Sequence, residues 1–322
     1  MSTSTLRGPV WVAVRQHRRV LWAATALLVL TALILLYQRY SATSAASDFA
    51  GTGCSVQVTT TDCGGTVRGF LDAQLDLHNW LGYTGVVLFV LPGVVGAFVA
   101  GPVIGRELES GTYKLAWTQS VSPARWLMSK LAVPVAWTVV GCTALVVLYR
   151  WSRFQGPEGV YTVHWYDKLG FAGLGPLPIA YGLLGIALGA LAGLLVRRTL
   201  LAMSATALAV GGAMLAMITW VRPYLWPIET ITGDGRLPGP SAWTLQDGVI
   251  LASGERMTRE QCGATDWASS PCRDLLEGRA RFTDYHPASH FWPLQLMETG
   301  IVLVVAAAVA FAAFRVLRRS HA

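Results

Sequence analysis

Charge is the first thing this chain has little of. Asp, Glu, Lys and Arg make up 13% of its 322 residues, where a soluble globular domain carries about a quarter. That deficit excludes an ordinary water-surrounded fold. Lysine is scarcest, with Lys114, Lys130 and Lys168 only. None follows a glycine, so there is no Gly-Lys-Ser/Thr phosphate loop and no P-loop ATP hydrolysis by this chain. No His-Glu-x-x-His is present. His286 and His290 are four apart, but Pro287 lies between them and no acid completes a ligand set, so they read as loop residues and no metal site is assigned. No constellation is assigned as catalytic. The net charge of +7 comes without a continuous basic face, which excludes a nucleic-acid surface.

What the chain has in abundance is apolar sequence, 53% of the total, and it is clustered. Five charge-free runs are long enough, or nearly so, to cross a bilayer, which takes about 20 residues. They are Val20–Tyr37, Trp80–Ile104, Leu131–Tyr149, Gly170–Val196 (entered near Ile179, after Pro176 and Pro178) and Thr199–Val221. A sixth, Thr299–Phe314, must extend back to about Pro293 and so must carry Glu298. In lipid, backbone polar groups need partners within the segment, so these runs are helices. The first is too long for a signal-peptide core and is expected to be retained. The expected fold class is an all-α membrane protein with six spans.

Charge asymmetry sets the expected orientation. The N-terminus, the 106–130 loop, the Arg197–Arg198 turn and the C-terminus hold 13 basic residues against Glu107 and Glu109. The other loops are longer and hold 12 basic and 16 acidic residues. Dense Arg in short segments belongs in the cytoplasm, so the chain is expected in the cytoplasmic membrane with both ends in the cytoplasm. The expected organisation is an interfacial N-terminal segment over 1–19, spans 1–5 over 20–221 with a loop at 103–130, an extracytoplasmic region at 222–290, and the last span with its tail over 291–322. The net charge then reflects topology and contact with anionic lipid.

Cysteines and glycines add local expectations. Cys54 and Cys63 fall in the first outside loop, Cys262 and Cys272 in the last, and Cys142 in a span. Each outside pair is close in sequence on the oxidising side, so each is expected to form a local disulfide. Gly185, Gly189 and Gly193 make a doubled small-xxx-small pattern, suited to a tight helix pair or a dimer seam. Glu298, one turn inside the outer boundary, is expected to face protein or a watery cavity and to pair with a polar group on another span. The spans otherwise lack the Asp, Glu or His relays of ion-coupled transporters, so the energy source is sought outside this chain.

The informative stretch is 101–131, GPVIGRELESGTYKLAWTQSVSPARWLMSKL. Thr112 can cap a short helix over Tyr113–Gln119. Ser122 with Pro123 is a good start for the next helix, which enters the third span. Tyr113, Leu115 and Trp117 give the short element more apolar surface than a connector needs, which suits docking to a partner.

This stretch resembles a known family. Arg106, Glu107, Glu109, Gly111, Thr112, Leu115, Trp117–Ser120, Arg125–Leu127 and Lys130 look like the membrane subunit of type-2 ATP-binding-cassette exporters, in the form common in actinobacteria. A second resemblance is the YHPASHFWPLQ run at Tyr285–Gln295, followed by Glu298. The resemblance implies that 103–130 carries a coupling helix seated on a separate cytoplasmic ATPase. Arg106, Glu107, Glu109, Gly111, Thr112, Leu115, Arg125 and Lys130 would be its mechanical contacts. It also implies a second membrane subunit, identical or different, and ATP with magnesium bound by the partner, leaving no cofactor in this chain. The uncharged spans suggest an apolar or amphipathic cargo. Two other readings compete: a membrane scaffold or sensor with a ligand-binding outer region, and a membrane thiol oxidoreductase.

Overall fold

The computed structural model describes residues 9–57, 63–111, 122–153, 160–161, 163–233, 238–261 and 280–319. The chain divides into two compact units. One comprises Met1–Val163, Asp167–Leu215 and Thr299–Ala322; the other comprises His164–Tyr166 and Ala216–Glu298.

The helices are α1 (Pro9–Ala50), α2 (Gly64–Val95), α3 (Gly101–Glu109), α4 (Pro123–Ser152), α5 (Lys168–Gly173), α6 (Leu177–Val196), α7 (Thr199–Ala216) and α8 (Phe291–Arg319). A π-helical turn, Gly96–Ala100, joins α2 to α3, and another, Met217–Val221, extends α7 into a 3-10 turn at Arg222–Tyr224. Among the described residues, six helical segments are long and apolar enough to cross a membrane. They correspond to the six runs read from the sequence. Leu200 and Leu208 of α7 are each 76% exposed and Val304 of α8 is 70% exposed. Large apolar side chains turned outward on several helices suit lipid as the surrounding solvent.

Helix α1 is longer than the run Val20–Tyr37. It starts at Pro9, so 9–19 continue the first span's helix and do not form a separate element. It also continues through the Ser- and Thr-rich stretch expected as loop. Here hydroxyls bond back one turn, Thr43 to the Arg39 carbonyl at 2.9 Å and Ser47 to that of Ser44 at 2.7 Å. Packing holds the helix in place. Gln74 of α2 donates to the Ala42 carbonyl at 3.0 Å, and Phe49 stacks on Phe70 with ring centres 4.5 Å apart. The Cys54–Cys63 disulfide closes the α1–α2 connection, with Cα atoms 5.8 Å apart. Cys262 and Cys272 lie outside the described residues. Cys142 is a free, buried thiol.

Helix α6 is the packing centre of the first unit. Its hydrophobicity continues all round, and 61% of its spanning window is buried, against 6% for α1. An all-round apolar helix is enclosed by protein or by lipid, and burial assigns α6 to the former. Its glycines meet the second span. A Cβ on Gly185 would lie 2.6 Å from the Pro92 carbonyl oxygen, and one on Gly189 would lie 2.5 Å from that of Gly96. On Gly193 it would lie 3.1 Å from the Ile104 Cβ. The glycine ridge therefore brings two backbones of this one chain together. Pro92 lacks the N–H that the helical ladder needs, and the π turn follows within a turn of it, as expected where a ladder is interrupted.

The second unit corrects the expectation of an all-α protein. It contains a four-stranded antiparallel sheet in the order β1-β4-β2-β3, formed by β1 (Glu229–Gly233), β2 (Trp243–Ile250), β3 (Arg256–Thr258) and β4 (Arg281–His286). Gly233 pairs with Arg281, and Gly248 sits opposite both Thr258 and Phe282. A Cβ on Gly248 would come 2.1 Å from the Met257 carbonyl oxygen and 2.7 Å from the Phe282 ring. The ring thus covers a bare glycine, with the Arg256 guanidinium, on β3 across β2, 4.9 Å from its centre. Val249 and Phe282 are fully buried.

Candidate functional site

The candidate site is built where the second span ends. Helix α3 stops because Gly111 has φ +72°, a left-handed conformation that glycine adopts without strain. The Ser110 N–H still closes on the Arg106 carbonyl at 3.0 Å. Beyond Gly111, Thr112, Leu115 and the expected helix Tyr113–Gln119 lie outside the described residues. The chain is described again at Ser122, whose hydroxyl accepts the Arg125 N–H at 3.4 Å and caps α4, with Pro123 in the first turn. That is the start signal read from the sequence.

Two carboxylates on α3 brace this region. Residues two apart on a helix point to different sides, and Glu107 and Glu109 reach different neighbours. Glu107 accepts the Trp126 indole N–H at 3.1 Å and pairs with Lys130, both on the first turns of α4. Trp126 is 3% exposed and belongs to an apolar cluster with Ile104, Leu127, Leu194 and Leu317. Charge-assisted bonds at a partly buried site such as this one contribute about 1.5–3 kcal/mol.

Glu109 reaches the start of α7. Its Oε2 accepts the Thr199 backbone N–H at 3.1 Å and the Thr199 hydroxyl at 2.7 Å. A carboxylate at a helix N-terminus satisfies an orphan donor and complements the helix dipole. The preceding Arg197 has φ +52° and ends α6 by donating its N–H to the Gly193 carbonyl at 3.2 Å. Arg106, Glu109, Ser110 and Thr199 line one open cleft. Arg106 and Arg125 are exposed. The structure therefore ties the end of the second span to the starts of the third and the fifth. Sequence reading singled out Glu107 and Glu109 but missed their partners Trp126 and Thr199, which no spacing rule signals.

A second polar site lies in the sheet unit. Glu298, fully buried, receives two bonds from Arg222, Nε to Oε2 at 2.7 Å and a terminal nitrogen to Oε1 at 3.0 Å. Arg222 is 3% exposed. The pair joins the 3-10 turn after α7 to the first turns of α8. Sequence reading singled out Glu298 and missed Arg222, although an arginine closing an apolar run was the available signal.

A family model described as "ABC-2 membrane transporter related" matches residues 25–222. The chain belongs to this family. Comparisons with curated proteins and with solved structures each give no significant match. The ABC-2 match covers spans 1–5, including both braces, and stops at Arg222; the sheet and α8 lie beyond it. Members of the ABC-2 family are membrane transport components, and the family implies an ATPase partner and a membrane dimer in general. This protein is thus a multi-pass ABC transporter permease.

Proposed function

We propose that this chain is the permease subunit of an ATP-binding-cassette exporter in the cytoplasmic membrane. A separate cytoplasmic ATPase, which binds the ATP and magnesium, powers it, and a second membrane subunit completes the path. The carrying observation is the pair of braces at Glu107 and Glu109. A connector between two spans needs no such fastening. A segment that transmits force from an ATPase does, because its ends must move with the spans that they join. The segment 103–130, with Thr112 and Leu115 in it, would dock on the ATPase. Gly111, with φ +72°, ends α3, and Arg106 and Arg125 offer exposed charge. Glu107, Glu109 and Lys130 act from behind by positioning this element.

In this reading residues 105–130, the Arg197–Arg198 turn and both ends are cytoplasmic, and the sheet unit is outside. The positive charge of the inside segments supports this orientation. The cargo is apolar or amphipathic, consistent with spans whose one buried charge pair, among the described residues, is Arg222–Glu298.

The test is to reconstitute the transporter with its ATPase and compare the parent with Glu107→Ala and Gly111→Val. Both variants should reach the membrane at parental abundance yet lose transport-coupled ATP hydrolysis. Hydrolysis equal to the parent in both would remove the coupling role.

A further inference from the structure

The first unit holds a hollow that its own side chains leave unfilled. It lies between α1, α2 with the π turn that follows it, and α4, and its volume is about 270 Å³. Leu21 and Leu27 of α1, Val95 and Val99 at the end of the second span, and Pro134 and Trp137 of α4 line it. Among the described residues that line it, all but Thr138 have apolar side chains, and the Thr138 methyl group lies close to Gly182 of α6. Leu27 and Val94 on its rim are exposed, so the hollow opens outward. Its depth follows from the chain. Leu27 lies seven residues beyond Val20, where the first apolar run begins; Trp137 lies six beyond Leu131; and Val99 lies five before Ile104. At 1.5 Å per residue these depths stay within about 11 Å, in a hydrocarbon core about 30 Å thick. The hollow is therefore centred in the half of the membrane nearer the N-terminus.

The approach to the hollow from that side is positive. Arg18 is exposed and stands three residues before Leu21, on the same face of α1. Arg15 and Arg19 are close to it in sequence, and no acid precedes Asp48. We propose that the hollow binds one anionic phospholipid from the leaflet on that side, with an acyl chain in the hollow and the phosphate at Arg18. The volume suits a single slender chain, since pockets for compact ligands begin at about 300 Å³. The lining offers the chain an apolar surround, and a guanidinium makes charge-assisted bonds to phosphate. A second copy of this chain fits the same face poorly. Two copies share one orientation in the membrane, so a two-fold seam through this face of α1 would set Arg18 against Arg18, with no acid before Asp48 to relieve it.

The lipid completes the packing of α1 against α2 and α4, where the protein alone buries only 6% of the α1 spanning window. Long basic side chains near helix ends reach toward the interface, which puts the Arg18 guanidinium at the level of the head groups. This inference rests on the chain's place in a membrane and not on the ATPase partner.

The experiment uses the full chain in phosphatidylcholine vesicles doped with phosphatidylglycerol that carries a photoactivatable diazirine midway along one acyl chain. A phosphatidylcholine probe with the same chain is the comparison, and labelled peptides are mapped by mass spectrometry. Phosphatidylglycerol should label 21–27, 94–99 and 133–137 in preference to phosphatidylcholine. The exposed apolar surface around Leu208 and Leu215 should take both probes alike. Arg18→Gln, at an exposed side chain, keeps the fold and should cut the preference about fivefold, the worth of one basic residue at an anionic membrane surface. Ala24→Phe, which fills the hollow, should remove the labelling of 94–99 and 133–137. Equal labelling by both probes, unchanged by Arg18→Gln, would overturn the proposal, since the hollow would then hold ordinary bilayer lipid. So would Leu27→Cys, in the otherwise cysteine-free chain, forming a disulfide between copies while the three segments take no label, which would make the hollow a seam with a second copy.

Discussion

Replacing Glu298 by Leu leaves Arg222 buried beside an apolar side chain. The structure sets the scale of the loss. Two bonds of 2.7 and 3.0 Å disappear, and a guanidinium on a residue 3% exposed loses its carboxylate. Breaking a buried pair from one side costs about 3–5 kcal/mol, a hundredfold or more in the folded population. Glu298→Gln should be nearly as damaging, because it keeps the shape and removes the charge. The double variant Arg222→Leu/Glu298→Leu should be milder than either single change, because no uncompensated charge remains. The assay is denaturant unfolding in detergent of five proteins, the parent, Glu298→Leu, Glu298→Gln, Arg222→Leu and the double variant, with membrane abundance as a second readout. A double-mutant cycle should give a coupling of about 3 kcal/mol or more. If the two single losses simply add in the double variant, the pair is not coupled and the reasoning is refuted.

Gly189→Leu would force a side chain into the Gly96 carbonyl, whose oxygen is 2.5 Å from the Cβ position; membrane abundance should collapse, while Gly211→Leu, with open space around it, should be neutral. Cys54→Ser should remove the disulfide, seen as a mass change on alkylation without reductant, and cost about 2–4 kcal/mol of stability. The sheet unit should lose stability as the pH falls below about 6.5, the ordinary histidine value. Burial lowers the His286 value in the folded state, so the unfolded chain binds the extra proton first and acid favours unfolding. Intrinsic fluorescence against denaturant at pH 7.5 and 5.5 would show it, and His286→Phe should flatten the difference.

The membrane helices were legible because their signal is compositional. Runs such as Thr199–Val221 exclude charge outright, and little but a helix satisfies their backbone in lipid. Helix ends were less legible. The Ser- and Thr-rich end of α1 reads as loop, yet it is helical because Gln74, Phe70 and the disulfide lie far along the chain or across a turn. The sheet was missed because its strands are short and interrupted. Trp243–Ile250 alternates weakly, and Glu229–Gly233 finds its partner only at Arg281–Tyr285, across some fifty residues. At the candidate site Ser122 and Gly111 could be read from local rules of capping and turn geometry. The Glu107–Trp126 and Glu109–Thr199 contacts could not, since each depends on how spans pack.

The account's central claim is that the segment after the second span docks a cytoplasmic ATPase. Cysteines placed singly at Arg106, Arg125 and Ser253 of the otherwise cysteine-free chain, each fitted with a short bifunctional cross-linker in native membranes, test it most directly. The account predicts cross-links to an ATPase subunit from positions 106 and 125 and none from 253. A cross-link from 253, with none from 106 or 125, would contradict both the docking surface and the orientation.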